Sequence, residues 1–419
     1  MKVLAKLAAA DGHTVTGSDA ATTGHDARRA VGADLVVYSS AVPENNVELF
    51  YARKKGIPTR TRAEFLGEIA ARYGEVIAVA GSHGKTTCTA MLGCIFSPYD
   101  PTVHLGGVYN GECGHLGGKR VFITEACEYR RNFLHIRPRI AVVLNVELDH
   151  TDYYRDLADV TDAFTAFSQA APVRIACGDD ERSAPLLAPL NGSPCITFGF
   201  APHNDYAAEG VRCSMGQTQF TLRRHGAVLG EITLRVMGKH NVYNALAAAA
   251  ASFASGLTFQ EVKRGLEQFT GVDRRLQRLG RVGACDLFSD YAHHPHEIES
   301  TIESLKNAGY ARVGVVFEPH TFSRTQSLLN DFAAALQKAD EVCLLCVYPA
   351  REAPVAGVSS HAIARALIER GKDAYAYDTF CELYTRAALF AGRCDALAFC
   401  GAGMIDRAAA GFFEKHEGK

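Results

Sequence analysis

The chain has 419 residues, 47% of them hydrophobic, and a formal net charge of −2. That length exceeds one ordinary core and predicts two or three domains, while the near-neutral charge gives no electrostatic case for nucleic-acid binding. No apolar run is long enough for a membrane span, and 13 scattered cysteines without metal-like Cys/His spacing fit reduced thiols in a cytoplasmic protein better than a disulfide scaffold.

Residues 3–10 (Val-Leu-Ala-Lys-Leu-Ala-Ala-Ala) predict a helix closed by Asp11-Gly12, followed by strands at 13–17 and 34–39. Units of dinucleotide-binding type open with a strand, a Gly-x-Gly-x-x-Gly turn and a helix. This chain starts inside the helix, so residues 1–73 are expected to form an incomplete Rossmann-like domain. A second region, 74–278, carries strands at 76–80, 121–124, 140–144 and 173–177, helices at 85–96 and 157–170, a hairpin around Gly226, and closing helices at 241–254 and 259–269. From about residue 280, strands at 284–289, 312–317, 341–345, 373–377 and 395–400 alternate with helices. That alternation implies a parallel sheet covered on both faces. The expected fold is α/β with three domains: the incomplete Rossmann-like one, a central P-loop ATPase-type domain, and a Rossmann-like domain over 279–419.

The most informative stretch is Gly81-Ser82-His83-Gly84-Lys85-Thr86-Thr87, between the strand at 76–80 and the helix at 85–96. Strand, Gly-rich turn and helix in that order make a phosphate cradle of backbone N–H groups. Lys85 is placed to reach the outer phosphates, and Thr86 or Thr87 offers a hydroxyl to Mg²⁺; the first glycine of the general P-loop pattern is replaced by Val79. Two acidic segments follow at strand ends, Glu125-Ala126-Cys127-Glu128 and Glu147-Leu148-Asp149-His150. Thr86, Glu125 and ATP phosphates supply the oxygen ligands that Mg²⁺ takes, with His150 available to a second metal.

Asn241 and Asn244 lie one turn apart where a helix begins, and their amides can read an adenine edge or cap that helix. Asp273-Arg274-Arg275, at the second domain boundary, is either a phosphate-binding segment or a solvated basic linker. Asp290-Tyr291-Ala292-His293-His294-Pro295 ends one strand of the last domain and Glu318-Pro319-His320-Thr321-Phe322-Ser323-Arg324 ends the next. Two polar clusters on adjacent strand ends predict a pocket. Too few further ligands accompany the histidines for zinc; orienting a substrate amine or carboxylate is the other reading.

Together these motifs resemble the Mur ligases, which join amino acids to UDP-N-acetylmuramic acid in peptidoglycan synthesis. The resemblance covers almost the whole chain: 81–87 is similar to the family's ATP loop, Glu125–Glu128 with Phe133-Leu134 to its acidic segment, Asp149-His150 to its Asp-His pair, and His240-Asn241 through Asn244 to its adenine-binding helix start. Asp290–Pro295, Pro319–Thr325 and Val347-Tyr348 with Glu352-Ala353-Pro354 resemble the branch that adds L-alanine. The first arginine common in that branch's Pro-His motif is Thr321 here, and no lysine occurs between Lys119 and Lys239, where other branches carry a carbamylated one. The resemblance implies ATP- and Mg²⁺-dependent amide synthesis through an acyl phosphate on UDP-N-acetylmuramate. It implies catalytic roles for Lys85, His150, Arg275, His293, His294 and Arg324. ATP contacts are implied for residues 81–87, Asn241, Asn244, Arg275 and Asp290, metal contacts for Thr86, Glu125 and His150, and substrate contacts for Ser39, Ser40, Glu128, His320 and Arg324. Competing readings are a murein tripeptide ligase, a folylpolyglutamate-synthase-like ligase, and a nucleotide-binding paralogue without turnover.

Overall fold

The computed structural model describes residues 1–416 apart from 20–22, 151–152 and 191. These fall into two compact units by their contacts: Met1–Glu209, Thr221–Gly230 and Tyr243–Gln268 in the first, Gly210–Phe220, Glu231–Val242 and Phe269–Lys419 in the second.

In the first unit the helix Lys2–Ala10 buries Val3, Leu4 and Leu7. They join Phe65 and Ile69 of the helix Arg62–Ala70, and Ala78, Phe122 and Ala141 of the central strands, in one apolar core. Val36–Tyr38 and Thr59–Thr61 pair in parallel as a separate two-stranded sheet. The strand expected at 13–17 does not form. Its only large apolar residue, Val15, is exposed, so no buried face favours pairing.

The central sheet runs Glu112–His115, Thr102–Tyr109, Val121–Glu125, Glu75–Ala80, Ile140–Val143, Val173–Cys177 and Ile196–Gly199, then continues to Tyr206–Ser214. Its inner strands are parallel. Ile77, Val79, Ile123 and Val142 are fully buried, the continuous apolar runs that a sheet covered on both faces requires. The strand Glu75–Ala80 lies between Val121–Glu125 and Ile140–Val143, with the chain passing first to one side of it and then to the other. Such a switch point opens a crevice at the carboxyl ends of the strands. The antiparallel pair Thr102–Tyr109 and Glu112–His115 was not expected from sequence. Its turn, Asn110-Gly111, has both residues at positive φ (51° and 79°), which is the type I′ hairpin signature.

In the second unit the order is Gln277–Val282, Cys285–Asp290, Ala396–Cys400, Val313–Phe317, Glu341–Leu345, Tyr375–Tyr377, parallel except for the first pair. Helices Pro295–Asn307, Leu329–Leu336 and Ser360–Glu369 cover one face and Phe380–Ala391 with Ile405–His416 the other. The strands that precede the two polar clusters are therefore not adjacent: the last strand, Ala396–Cys400, is inserted between them. Contrary to the expectation that no cysteine pair has metal-like spacing, Cys343 and Cys346 stand in Cys-x-x-Cys spacing, but Cys343 is buried in the core and Cys346 is exposed. Among the described residues no helix is long and apolar enough to cross a membrane.

Candidate active site

Gly81 and Gly84 carry positive φ of 145° and 84°, and a Cβ on either would collide: 2.9 Å from Leu144 Cβ at Gly81, 2.4 Å from Asn244 Oδ1 at Gly84. The loop therefore needs glycine for conformation and for close approach. Asn244, buried, borders the loop directly. The following segment straps the loop down. Asn145 Oδ1 accepts from the His83 N–H at 2.9 Å, the Glu147 N–H donates to Ser82 Oγ at 2.8 Å, and the His83 ring meets the Glu147 carboxylate at 3.1 Å.

Lys85 opens the helix Lys85–Phe96. Its ammonium donates to the carbonyls of Gly81 and Ser82, and lies 2.9–3.0 Å from the Glu128 carboxylate. Burial is the largest single influence and works against the ammonium, but the charge and hydrogen bond of Glu128, with Cys127 and Glu125 nearby, together hold the Lys85 pKa above its ordinary value. Glu128 is buried too, yet Lys85 and His150 keep its pKa low. His150 Nε2 sits 3.5 Å from Glu128 and 3.9 Å from Asp149. Although burial lowers the His150 pKa, those two carboxylates raise it overall. The Tyr129 ring stands 4.8 Å from the His150 ring. Arg130 and Arg131 are both left-handed, φ 51° and 57°. Strained residues in tandem beside such a cluster are a mark of a functional segment.

Glu125 accepts from the Gly106 N–H at 2.5 Å. A Cβ on Gly106 would lie 2.8 Å from Glu125 Oε2, and one on Gly107 would lie 3.0 Å from Thr86 Cγ2. Two successive glycines in the strand Thr102–Tyr109 thus leave a cradle bordered by the Glu125 carboxylate and the Thr86 side chain. Its oxygen donors fit a hard divalent cation such as Mg²⁺. Gly106 and Gly107, which carry this geometry, and Asn145, which straps the loop, were not singled out from sequence; a Gly-Gly pair inside a strand was the available signal for the first two.

In the second unit, Asp290 accepts from the Ala292 N–H at 3.0 Å and from Thr301 Oγ1 at 2.9 Å. Burial pushes its pKa up to about 6, against the pull of Arg275. The Tyr291 ring is flanked by the guanidinium groups of Arg274 and Arg275, at 4.9 and 5.1 Å, and by the His293 ring at 5.3 Å. Arg275 also meets Glu297 at 3.8 Å. Despite the inserted strand the two clusters converge: the His293 and His320 rings are 5.8 Å apart, His320 stacks on Tyr348 at 5.6 Å, and Arg324 reaches His320 Nδ1 at 3.4 Å. Burial, with His293 and Arg324 nearby, pushes the His320 pKa down to about 4, so the ring is neutral at pH 7. His294 caps the helix Pro295–Asn307. Glu352 accepts from the backbone N–H and the hydroxyl of Ser323. The buried Glu318 accepts from the N–H groups of Gly403, Met404 and Ile405, which fixes the turn into the last helix. Ser39 and Ser40 follow the strand Val36–Tyr38. The Asn241 amide donates to the Met237 carbonyl at 2.7 Å.

A phosphate-binding loop at a switch point, with a half-buried lysine and an acidic cradle beside it, defines a nucleotide-using α/β enzyme. Three family models match the chain: the Mur ligase family catalytic domain at 1–74, the Mur ligase middle domain at 79–252, and the Mur ligase glutamate ligase domain at 274–403. The chain is 38% identical over 398 residues to the UDP-N-acetylmuramate–L-alanine ligase of Acetivibrio thermocellus, covering 89% of this chain and 85% of that one. It is 37% identical over 396 residues to the ligase of the same name from Caldanaerobacter subterraneus, covering 89% and 86%. A solved structure of the UDP-N-acetylmuramate–alanine ligase of Thermotoga maritima matches with a TM-score of 0.80 at 28% identity, over 94% of this chain and 87% of that one. The chain belongs to the Mur ligase family, whose members are ATP-dependent, amide-forming ligases.

Proposed function

We propose that this enzyme joins L-alanine to the lactyl carboxylate of UDP-N-acetylmuramate at the expense of ATP, in the cytoplasm, as a step of peptidoglycan precursor synthesis. The observation that carries the chemistry is the Lys85 ammonium, held in the glycine loop beside the Glu125 and Thr86 cradle. The relatives' names supply the substrates.

The substrate carboxylate attacks the γ-phosphorus of ATP, ADP leaves, and an acyl phosphate remains. The amine of L-alanine then attacks the acyl carbon, and phosphate leaves with one former carboxylate oxygen. The first step brings two anions together, so it needs charge neutralisation fixed in advance. Lys85 supplies one positive charge; it leaves the Gly81 and Ser82 carbonyls for the outer phosphates. Thr86 and Glu125 would hold Mg²⁺, with His150 available to a second ion, and the metal would supply further charge neutralisation. Glu128 sits between Lys85 and His150 and sets the position of both. Arg275 is assigned to the ATP phosphates, Arg324 to the alanine carboxylate as a two-pronged donor, and the half-buried His293 to the alanine amine. The functional division is 1–73 for the sugar nucleotide, 74–278 for ATP and 279–419 for the amino acid.

A panel measuring ADP release with UDP-N-acetylmuramate plus L-alanine, with UDP-N-acetylmuramate plus murein tripeptide, and with folate plus glutamate tests the reading. Turnover with L-alanine is expected; turnover only with tripeptide or with folate contradicts it.

A further inference from the structure

Arg62 is the first residue of the helix Arg62–Ala70 and directly follows the strand Thr59–Thr61. That strand pairs in parallel with Val36–Tyr38, Thr61 opposite Tyr38. Arg62 therefore leaves the same sheet edge as Ser39 and Ser40, the carboxyl edge where ligands bind in α/β folds. Among the described residues no carboxylate lies within ion-pair distance of Arg62. Its side-chain partner is the His104 ring, 3.2 Å from Nη2 to Nε2.

The direction of each bond in this chain is forced. Arginine only donates, so His104 Nε2 accepts and the ring proton sits on Nδ1. Nδ1–H then donates to Thr124 Oγ1 at 3.0 Å, and the Thr124 hydroxyl donates to the Glu125 carbonyl at 2.9 Å. His104 and Thr124 are both buried and lie opposite each other in neighbouring parallel strands. Burial first, and the Arg62 charge second, keep the His104 ring neutral. The positive charge of Arg62 is also felt at Cys127 in the acidic loop. A half-buried guanidinium, aimed by a neutral histidine and lacking a carboxylate partner, has donors to spare for an anionic ligand.

We propose that Arg62 is a binding residue for anionic oxygens of the acid substrate, and that His104 is the positioning residue that aims it. This rests on the assignment of UDP-N-acetylmuramate as that substrate. The oxygens can come from the diphosphate or from the lactyl carboxylate of the same molecule, and two ligands separate the sources. Isothermal titration of the wild type, Arg62→Ala, Arg62→Lys and His104→Phe would use UDP-N-acetylmuramate, UDP-N-acetylglucosamine (which has the diphosphate but no lactyl acid) and ATP, with thermal melts to check folding. Arg62→Ala is expected to weaken UDP-N-acetylmuramate at least about tenfold, with ATP affinity unchanged and Arg62→Lys recovering part of the loss. A parallel loss for UDP-N-acetylglucosamine assigns the diphosphate; a loss confined to UDP-N-acetylmuramate assigns the carboxylate. His104→Phe is expected to weaken the same sugar nucleotide and spare ATP; if it does not fold, the two Arg62 variants carry the test. Arg62→Ala affinity within about twofold of wild type overturns the proposal. A wild type that binds no UDP-N-acetylmuramate instead overturns the substrate assignment.

Discussion

Lys85 and Asp290 show how burial and partners set the state of single groups. Lys85 has carbonyls and a carboxylate as acceptors, so it stays charged in a half-buried position and is ready to exchange those acceptors for phosphate oxygens. Truncation removes the ammonium from the loop. Lys85→Ala is expected to lower the rate of ADP formation about 100- to 1,000-fold; a rate within a few fold of wild type removes the loop from the mechanism. Asp290 behaves oppositely. Its pKa rises from an ordinary 3.8 to about 6 because burial disfavours the charged carboxylate. The folded protein then binds this proton more tightly than the unfolded chain. The associated stability is complete below about pH 4 and is lost as the pH rises through about 6. Relative to wild type, Asp290→Asn should therefore gain melting temperature across that window. Parallel melting curves for the two proteins from about pH 4 to 7 would contradict the assignment.

At the scale of elements, glycines decide where side chains can meet. Gly106→Ala places a Cβ 2.8 Å from Glu125 Oε2; the carboxylate must move, and with it the cradle for the cation. Such a variant is expected to fold, bind the sugar nucleotide normally and require several-fold more Mg²⁺ for half-maximal rate. An unchanged Mg²⁺ requirement would place the cation elsewhere. The elements that build this site were largely legible in the residues. Short apolar runs such as Val76–Ala80, rich in β-branched residues and bounded by Gly74 and Gly81, fit buried parallel strands, and the His225-Gly226 turn, φ 47° and 79°, announces its hairpin. What was missed has physical reasons. The pair Thr102–Tyr109 and Glu112–His115 is interrupted by glycines, which weaken any strand pattern, although its Asn110-Gly111 turn was readable. The expected strand at 13–17 failed because alternation without a buried face does not hold a strand. The order of strands in the second unit could not be read locally, since Ala396–Cys400 pairs with partners about 80 and 110 residues earlier in sequence. For the same reason Asp290–Pro295 and Glu318–Arg324 were expected on adjacent strands. They meet instead across an inserted one, through His293, His320 and Tyr348.

For the molecule as a whole, the account makes ATP cleavage and amide formation one sequence joined by an acyl phosphate. Titratable groups are arranged accordingly. Lys85 and His150 are favoured as cations beside Glu128, whereas burial keeps His293 and His320 on the neutral side. In the proposed mechanism the first pair is assigned to phosphate charge and the second to the amine, which neutral rings can orient without competing with it for positive charge. Isotope transfer tests the acyl phosphate that joins the two steps most directly. UDP-N-acetylmuramate with both lactyl carboxylate oxygens labelled as ¹⁸O would be turned over with ATP and L-alanine, and the released phosphate analysed by mass spectrometry. One labelled oxygen in each phosphate is the predicted result, because the carboxylate oxygen that attacks the γ-phosphorus departs with it. Unlabelled phosphate formed in step with the amide product would contradict the account.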